Sequence, residues 1–291
     1  MSARPNQWIK NFVIYLAFFF SVGQAWSPHE ITSALSLLGK ISVAFLLFCV
    51  LTGSVYIVND VADVDRDKSH PTKRFRPIAS GNLSPYVAIA VSISMALFAV
   101  VAGLIFHVQF GLISIAYLIT MLAYNTYLKH MIIVDVMIIS FGFVLRAMAG
   151  ALVLEVTISV WLYICTSLGA LFIGFSKRLS ELVSSSESAH LQRPLLTLYT
   201  PRLLEQIIAV LAAATLISYA LYTFSSASLP DNHTMMLTIP FVMYGIFRYL
   251  YLVEVRHLGE TPEHIALTDI PLIITFTAWL ISSTAILILF G

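Results

Sequence analysis

The chain has 291 residues, 59% of them hydrophobic and 11% charged, with 16 Lys and Arg against 15 Asp and Glu and a mean hydropathy of +0.89. A soluble domain is about 45–50% apolar and about 25% charged, which excludes a water-soluble globular fold. A net charge of +1 leaves no electrostatic footprint for nucleic acid.

A helix that crosses a bilayer needs about 20 largely apolar residues. Nine such stretches run near 9–26, 35–58, 86–106, 108–125, 133–153, 159–176, 203–224, 234–252 and 270–290. The weakest break is between the third and fourth, where only His107 to Phe110 marks a turn. The first stretch is not followed by a small-residue cleavage site, so no cleavable signal peptide is expected. Cys49 and Cys165 both sit inside apolar runs and read as small buried hydrophobes, not as a disulfide or thiolate site.

Of the 16 Lys and Arg residues, 14 fall in 1–10, 59–85, 126–132, 177–202 and 248–269, and the intervening connections hold none. Lys40 and Arg146 are the two inside spans. Positive loops face the cytoplasm, so the amino terminus is expected inside and the carboxyl terminus outside. The expected protein is an all-α integral membrane protein of about nine transmembrane helices. Residues 1–291 form a single transmembrane catalytic domain whose polar residues crowd a cytoplasmic mouth.

The second span runs into Asn59-Asp60-Val-Ala-Asp63-Val-Asp65-Arg66-Asp67-Lys68. At about 100° per residue, a continuing helix sets Asp63 about 60° and Asp67 about 20° from Asp60, with Asn59 about 100° away. Three carboxylates on one face repel unless a cation compensates them. Hard oxygen donors of this kind suit Mg²⁺, which takes one or two carboxylates plus substrate phosphates. The plainer alternative is a solvated helix end offset by Arg66 and Lys68.

Pro71-Thr72-Lys73-Arg74-Phe75-Arg76-Pro77 follows directly. Carboxylates beside a cluster of Lys and Arg suit a polyphosphate, although any basic loop also serves topology or anionic-lipid contact. Further on come Lys129, Asp135 and Arg146. Asp135 and Arg146 share a helical face about 16 Å apart, and an arginine inside a span marks an interior cavity or a buried ion pair. Lys129 at a helix end also reads as simple snorkelling.

In Lys177-Arg178-x-x-Glu181, spacing of three and four residues lets all three side chains meet, as substrate contacts or as a self-paired helix end. Arg193, Tyr199 and Arg202 follow. Thr261-Pro262-Glu263 reads as cap, first-turn proline and first-turn acid of a helix, and Asp269 as structural.

With Asn59-Asp60-x-x-Asp63-x-x-x-Asp67 set in a nine-helix pattern, the chain resembles the UbiA superfamily of intramembrane prenyltransferases along essentially its whole length. Within that superfamily it is similar to the branch that moves phosphoribose onto decaprenyl phosphate for cell-wall arabinose donors. Arg4-Pro5-x-Gln7-Trp8-x-Lys10-Asn11, His70-Pro71-Thr72-Lys73-Arg74-Phe75-Arg76-Pro77, Gly142-Phe143-x-x-Arg146-Ala147-x-Ala149-Gly150, Lys177-Arg178-x-x-Glu181 and Gly259-Glu260-x-Pro262-Glu263 carry that likeness. Ordinary members have a second aspartate-rich motif where this chain has Lys177-Arg178-x-x-Glu181, a change that favours more phosphate and less metal.

The resemblance implies a Mg²⁺-dependent phosphoribosyltransferase. It would take phosphoribosyl diphosphate and a polyprenyl phosphate lipid, release diphosphate, and use Asp60, Asp63 and Asp67 as metal-binding catalytic residues with Lys73. Asn59, Arg74, Arg76, Lys129, Asp135, Arg146, Lys177, Arg178, Glu181, Lys10 and Tyr199 are the implied substrate contacts. The expected location is the cell membrane, with the site on the cytoplasmic side. Two other readings share parts of the pattern: a prenyl transferase acting on an aromatic or tetrapyrrole acceptor, and an ion-coupled transporter. Against the transporter, polar residues gather at one face and not at the midplane, and no inverted repeat is visible.

Overall fold

The computed structural model describes residues 4–69, 73–157, 159–184, 194–226 and 229–290. His70, Pro71, Thr72 and Arg193 lie outside the described residues. The chain opens with a 3₁₀ helix, Pro5–Tyr15, that runs into α1 (Leu16–Phe19). Then come α2 (Ile31–Ala62), α3 (Val64–Lys68), α4 (Pro85–Phe106), α5 (Val108–Thr126), α6 (Val134–Val153) and α7 (Val160–Ser184). The remaining helices are α8 (Pro201–Ser225), α9 (Ile239–Glu254), α10 (Pro262–Thr268) and α11 (Ile270–Phe290).

Eight of these elements, α2, α4 to α8, α9 with the turn before it, and α11, are long and apolar enough to cross a membrane. Their outward faces are apolar, as at Tyr86, Ile105 and Leu289, which are 86%, 82% and 72% exposed. Such a surface aggregates in water and is at home among lipid tails. The chain is a multi-pass membrane protein.

The first expected span differs from the others. Its helical part starts and ends earlier, at Pro5–Tyr15 and Leu16–Phe19, and most of it is 3₁₀. Eleven residues at about 2.0 Å plus four at about 1.5 Å reach about 28 Å, close to the hydrocarbon thickness of about 30 Å. Gly23, at φ 81, turns the chain back. Trp26 closes that turn by stacking on Phe18 at 4.8 Å and donating from Nε1 to the Phe18 carbonyl at 2.9 Å.

The 3₁₀ helix lies against α6 and α2, while α7 packs on α6 and α8, and α2 on α4. Gly150 permits the first of these approaches, because a Cβ there would stand 2.2 Å from the Ile14 carbonyl oxygen. The weak break between the third and fourth spans is a single residue. His107 is extended (φ −159, ψ 118) and its Nδ1 accepts from the Phe110 N–H, capping α5.

Two helix ends depart from the expected boundaries. α2 stops at Ala62; Asp63 (φ −100, ψ 11) separates it from α3, so the acidic segment is not one continuous helix. α7 runs on to Ser184, which puts Lys177, Arg178 and Glu181 on its last turns.

Candidate active site

The break at Asp63 separates Asp63 from the other two aspartates. Asp60, 2% exposed at the end of α2, receives hydrogen bonds on Oδ1 from Arg4 and, at 3.1 Å, from Arg76 Nη1. The same Arg76 nitrogen donates to Asp67 Oδ2 at 2.6 Å. Asp63 instead faces Lys129 Nζ at 2.9 Å and Arg66 Nη1 at 3.5 Å. The expected single face of three carboxylates is therefore a pair, Asp60 and Asp67, sharing one positive charge, with Asp63 turned toward the loop after α5. Asn59 is half-buried in the same last turn of α2.

A hard divalent cation fits that pair. Two carboxylates already converge on one cationic nitrogen, and Mg²⁺ commonly takes one or two carboxylates and fills its other positions with water and phosphate. Among the described residues no three His, Cys, Asp or Glu side chains come together to hold an ion alone.

The loop between α3 and α4 supplies Arg76 and Lys73. Burial pushes the Lys73 ammonium below the ordinary lysine value, and Arg76 adds to this while Asp67 opposes it. Arg74 does not join them. It is exposed, with its guanidinium 4.8 Å from the Phe75 ring.

A second group meets across from the first. Lys10 of the 3₁₀ helix lies 3.7 Å from Glu263 of α10, and Gln7 donates to the same carboxylate. Lys177 of α7 lies near enough for its charge to bear on both Glu263 and Lys73, so the two groups share one end of the bundle, a polar pole. Burial alone would raise the Glu263 carboxyl, but Lys10 and Lys177 outweigh it and hold it below its ordinary value. Gly259 makes the closure possible: a Cβ there would stand 2.1 Å from Ser180 Oγ on α7.

Arg178 points elsewhere. Its Nε donates to Asp135 Oδ2 at 2.9 Å and its Nη1 to Glu181 Oε2 at 2.6 Å, with Arg178 only 3% exposed. Tyr199 completes this network, donating to Asp135 Oδ1 at 3.4 Å and accepting from the Ile133 N–H at 2.7 Å. Ile133 needs that support, since φ 69 is a strained backbone for a β-branched residue. Arg178, Asp135 and Tyr199 thus brace the ends of α6 and α7. Lys177, 4.0 Å from Glu181, is the residue of that motif close enough to feel the charges of Lys10 and Glu263.

Arg146 sits deeper and is not paired with Asp135. It donates to the Asn11 side chain, the Gly142 carbonyl and the Tyr117 hydroxyl, each at 2.8 Å. Asn11 in turn donates to Thr52 and Cys49 at 3.2 Å, so Arg146 fastens the 3₁₀ helix into the bundle. The far half of the bundle is apolar, with a cavity of about 230 Å³ among Phe20, Trp161, Cys165, Tyr219, Tyr222 and Trp279. Cys165 and Lys177 lie about 18 Å apart along α7.

Sequence reasoning missed three residues of the pole. Glu263 read as a first-turn acid, and Arg4 and Gln7 only as parts of a likeness. The amphipathic placement of Gln7 and Lys10, three residues apart on one stripe, was the available signal. Asp269 is structural as expected, taking Arg248 at 2.9 Å and the Leu272 N–H at 3.0 Å. α10 begins where expected, but Thr261 caps it without a side-chain hydrogen bond.

Among the described residues, a helical membrane bundle with carboxylates and cations gathered at one pole is an arrangement suited to an intramembrane enzyme that handles phosphorylated substrates. The chain belongs to the UbiA prenyltransferase family, whose model matches residues 16–264. It is 34% identical to the decaprenyl-phosphate phosphoribosyltransferase of Mycolicibacterium smegmatis, over 96% of this chain and 89% of that one. It is likewise 34% identical to the enzyme of the same name from Corynebacterium glutamicum, over 95% and 82%. In fold it is similar to a UbiA homologue from Archaeoglobus fulgidus solved with GPP and Mg²⁺, with a TM-score of 0.73 at 18% identity over 98% of this chain and 97% of that one.

Proposed function

We propose that the protein transfers 5-phosphoribosyl from phosphoribosyl diphosphate to a polyprenyl phosphate, of decaprenyl type, at the cytoplasmic face of the cell membrane. The whole chain works as one catalytic domain with nine crossings, the 3₁₀ helix being the first. The observation that carries this reading is the pole itself. Beside the carboxylate pair stand Lys73, Arg76, Lys10 and Lys177, a set suited to two phosphorylated substrates, and relatives of that activity match along nearly the whole chain.

Asp60 and Asp67 would hold Mg²⁺, which neutralises charge on the diphosphate when bound. Lys73 and Arg76 take up the charge that develops as diphosphate leaves ribose C1. Lys10 and Lys177, held through Glu263, seat a phosphate on the other side of the pole. The acceptor phosphate monoester is already anionic at neutral pH, so no strong general base is demanded, and attack opposite the leaving group inverts C1. Catalysis is then chiefly positioning and charge stabilisation. The product suits a precursor of cell-wall arabinose donors, as the family resemblance implies, and the isoprenoid tail lies in lipid or in the apolar half of the bundle.

The test uses purified protein in detergent with Mg²⁺, decaprenyl phosphate and phosphoribosyl diphosphate labelled in the ribose. Label should move into the organic phase, and EDTA or Asp60→Asn should abolish that movement. No transfer by protein shown to be folded would sink the reading and turn attention to prenyl diphosphates with aromatic acceptors.

A further inference from the structure

We infer that Arg4 is a built-in counter-cation for Asp60 that a divalent metal must displace, so that Arg4 and the metal are alternatives on one carboxylate. The inference rests on the reading of Asp60 as a metal ligand.

Asp60 Oδ1 accepts from both Arg4 and Arg76. The two arginines are not equivalent. Arg76 has a second carboxylate, Asp67, and comes from the neighbouring loop. Arg4 has Asp60 as its carboxylate partner across 56 positions of sequence, with the Tyr56 ring 5.3 Å from its guanidinium. Its own backbone is left-handed at φ 45, ψ 66, an uncommon conformation for a residue with a side chain. The chain just beyond it is firmly held, since Gln7 and Lys10 bind Glu263 and Asn11 binds Arg146. Arg4 can therefore leave Asp60 by a local movement without unseating the 3₁₀ helix.

A divalent ion on Asp60 brings two positive charges against two guanidinium groups already on Oδ1. Like charges at such distances, in a site that excludes most water, repel strongly. Arg76 is tied to two carboxylates, Asp60 and Asp67, whereas Arg4 is tied to Asp60 and has only the Tyr56 ring beside it. Arg4 is the group that departs, and its released guanidinium would be free to take oxygens of a diphosphate at this pole. Asp60 is thereby never an unpaired buried carboxylate, which would be costly at this position.

The test is Mn²⁺ binding to the purified full chain in detergent, followed by electron paramagnetic resonance, first with no substrate and then with inorganic diphosphate. Arg4→Gln should bind Mn²⁺ alone about tenfold more tightly than the wild type, and should gain less affinity from added diphosphate. Arg4→Lys, which keeps the charge, should stay near the wild type. Arg4→Gln protein with unchanged Mn²⁺ affinity, while Asp60→Asn loses binding, overturns the role of Arg4 and leaves the metal site standing. Undiminished Mn²⁺ binding by Asp60→Asn overturns the metal reading and this inference together.

Discussion

Arg178 donates from Nε to Asp135 Oδ2 across 2.9 Å, and the two side chains are 3% and 0% exposed. Two helices are joined there by an ion pair that water does not reach. Removing one partner of such a pair leaves a charge buried alone, at about 3–5 kcal/mol. Its neighbour Lys177 lies 4.0 Å from Glu181 and is about a third exposed, where an ion pair contributes about 0–1 kcal/mol.

The two adjacent cations should therefore fail differently. Arg178→Gln is expected to lower stability by about 3–5 kcal/mol and to lose transfer along with the fold. Lys177→Gln should unfold close to the wild type and lose transfer alone. Thermal unfolding in detergent beside the transfer assay separates them, and a stable, inactive Arg178→Gln protein would contradict the bracing role.

Asp63 offers a second contrast. It faces Lys129 at 2.9 Å, away from the Arg76 nitrogen that joins Asp60 to Asp67. Asp63→Asn should keep Mn²⁺ binding within a few-fold, while Asp60→Asn and Asp67→Asn lose it. In a double-mutant cycle of Asp63→Asn with Lys129→Met, the stability coupling should be about 0.5–3 kcal/mol. Loss of Mn²⁺ binding on Asp63→Asn alone would restore the three-carboxylate site.

Lys73 gives the reaction a pH limit. Burial holds its ammonium below the ordinary lysine value, so the cation is complete at low pH and is lost as pH rises through that lowered value. Transfer that depends on the cation should fall on the alkaline side. Lys73→Arg carries a charge that does not titrate in this range, so the alkaline limb of its kcat/KM profile should move upward. Coincident limbs in the two proteins would remove Lys73 from the charge-stabilising role.

The spans were readable because membrane length and apolarity leave little choice, and the single-residue break at His107 was visible even though no loop separates α4 from α5. The pole was half readable. Helical spacing correctly joined Arg178 and Glu181, but spacing within one helix carries no information about Asp135 on the next, so Arg178 looked available. The face of three aspartates assumed an unbroken helix, and no proline or glycine announces the stop at Asp63. Arg146 and Asp135 share a helical face, yet each found a closer partner on another element. Contacts between distant segments, Arg4 with Asp60 and Lys10 with Glu263, follow from how the 3₁₀ helix lies on α6 and α2.

That placement itself is testable at Gly150. A Cβ there would be 2.2 Å from the Ile14 carbonyl oxygen, and the obstacle is backbone that cannot rotate away. Gly150→Ala must push the 3₁₀ helix outward, with the cost of an overpacked contact, about 1–3 kcal/mol. Arg4, Gln7 and Lys10 are carried on the displaced segment, so transfer should fall more than stability does. Gly245 of α9 is the control, because nothing lies within 4 Å of its added Cβ. Gly245→Ala should be neutral or stabilise by up to about 1 kcal/mol through helix propensity. Equal unfolding temperatures and equal transfer rates for the two variants would mean that the 3₁₀ helix is not held where this contact puts it.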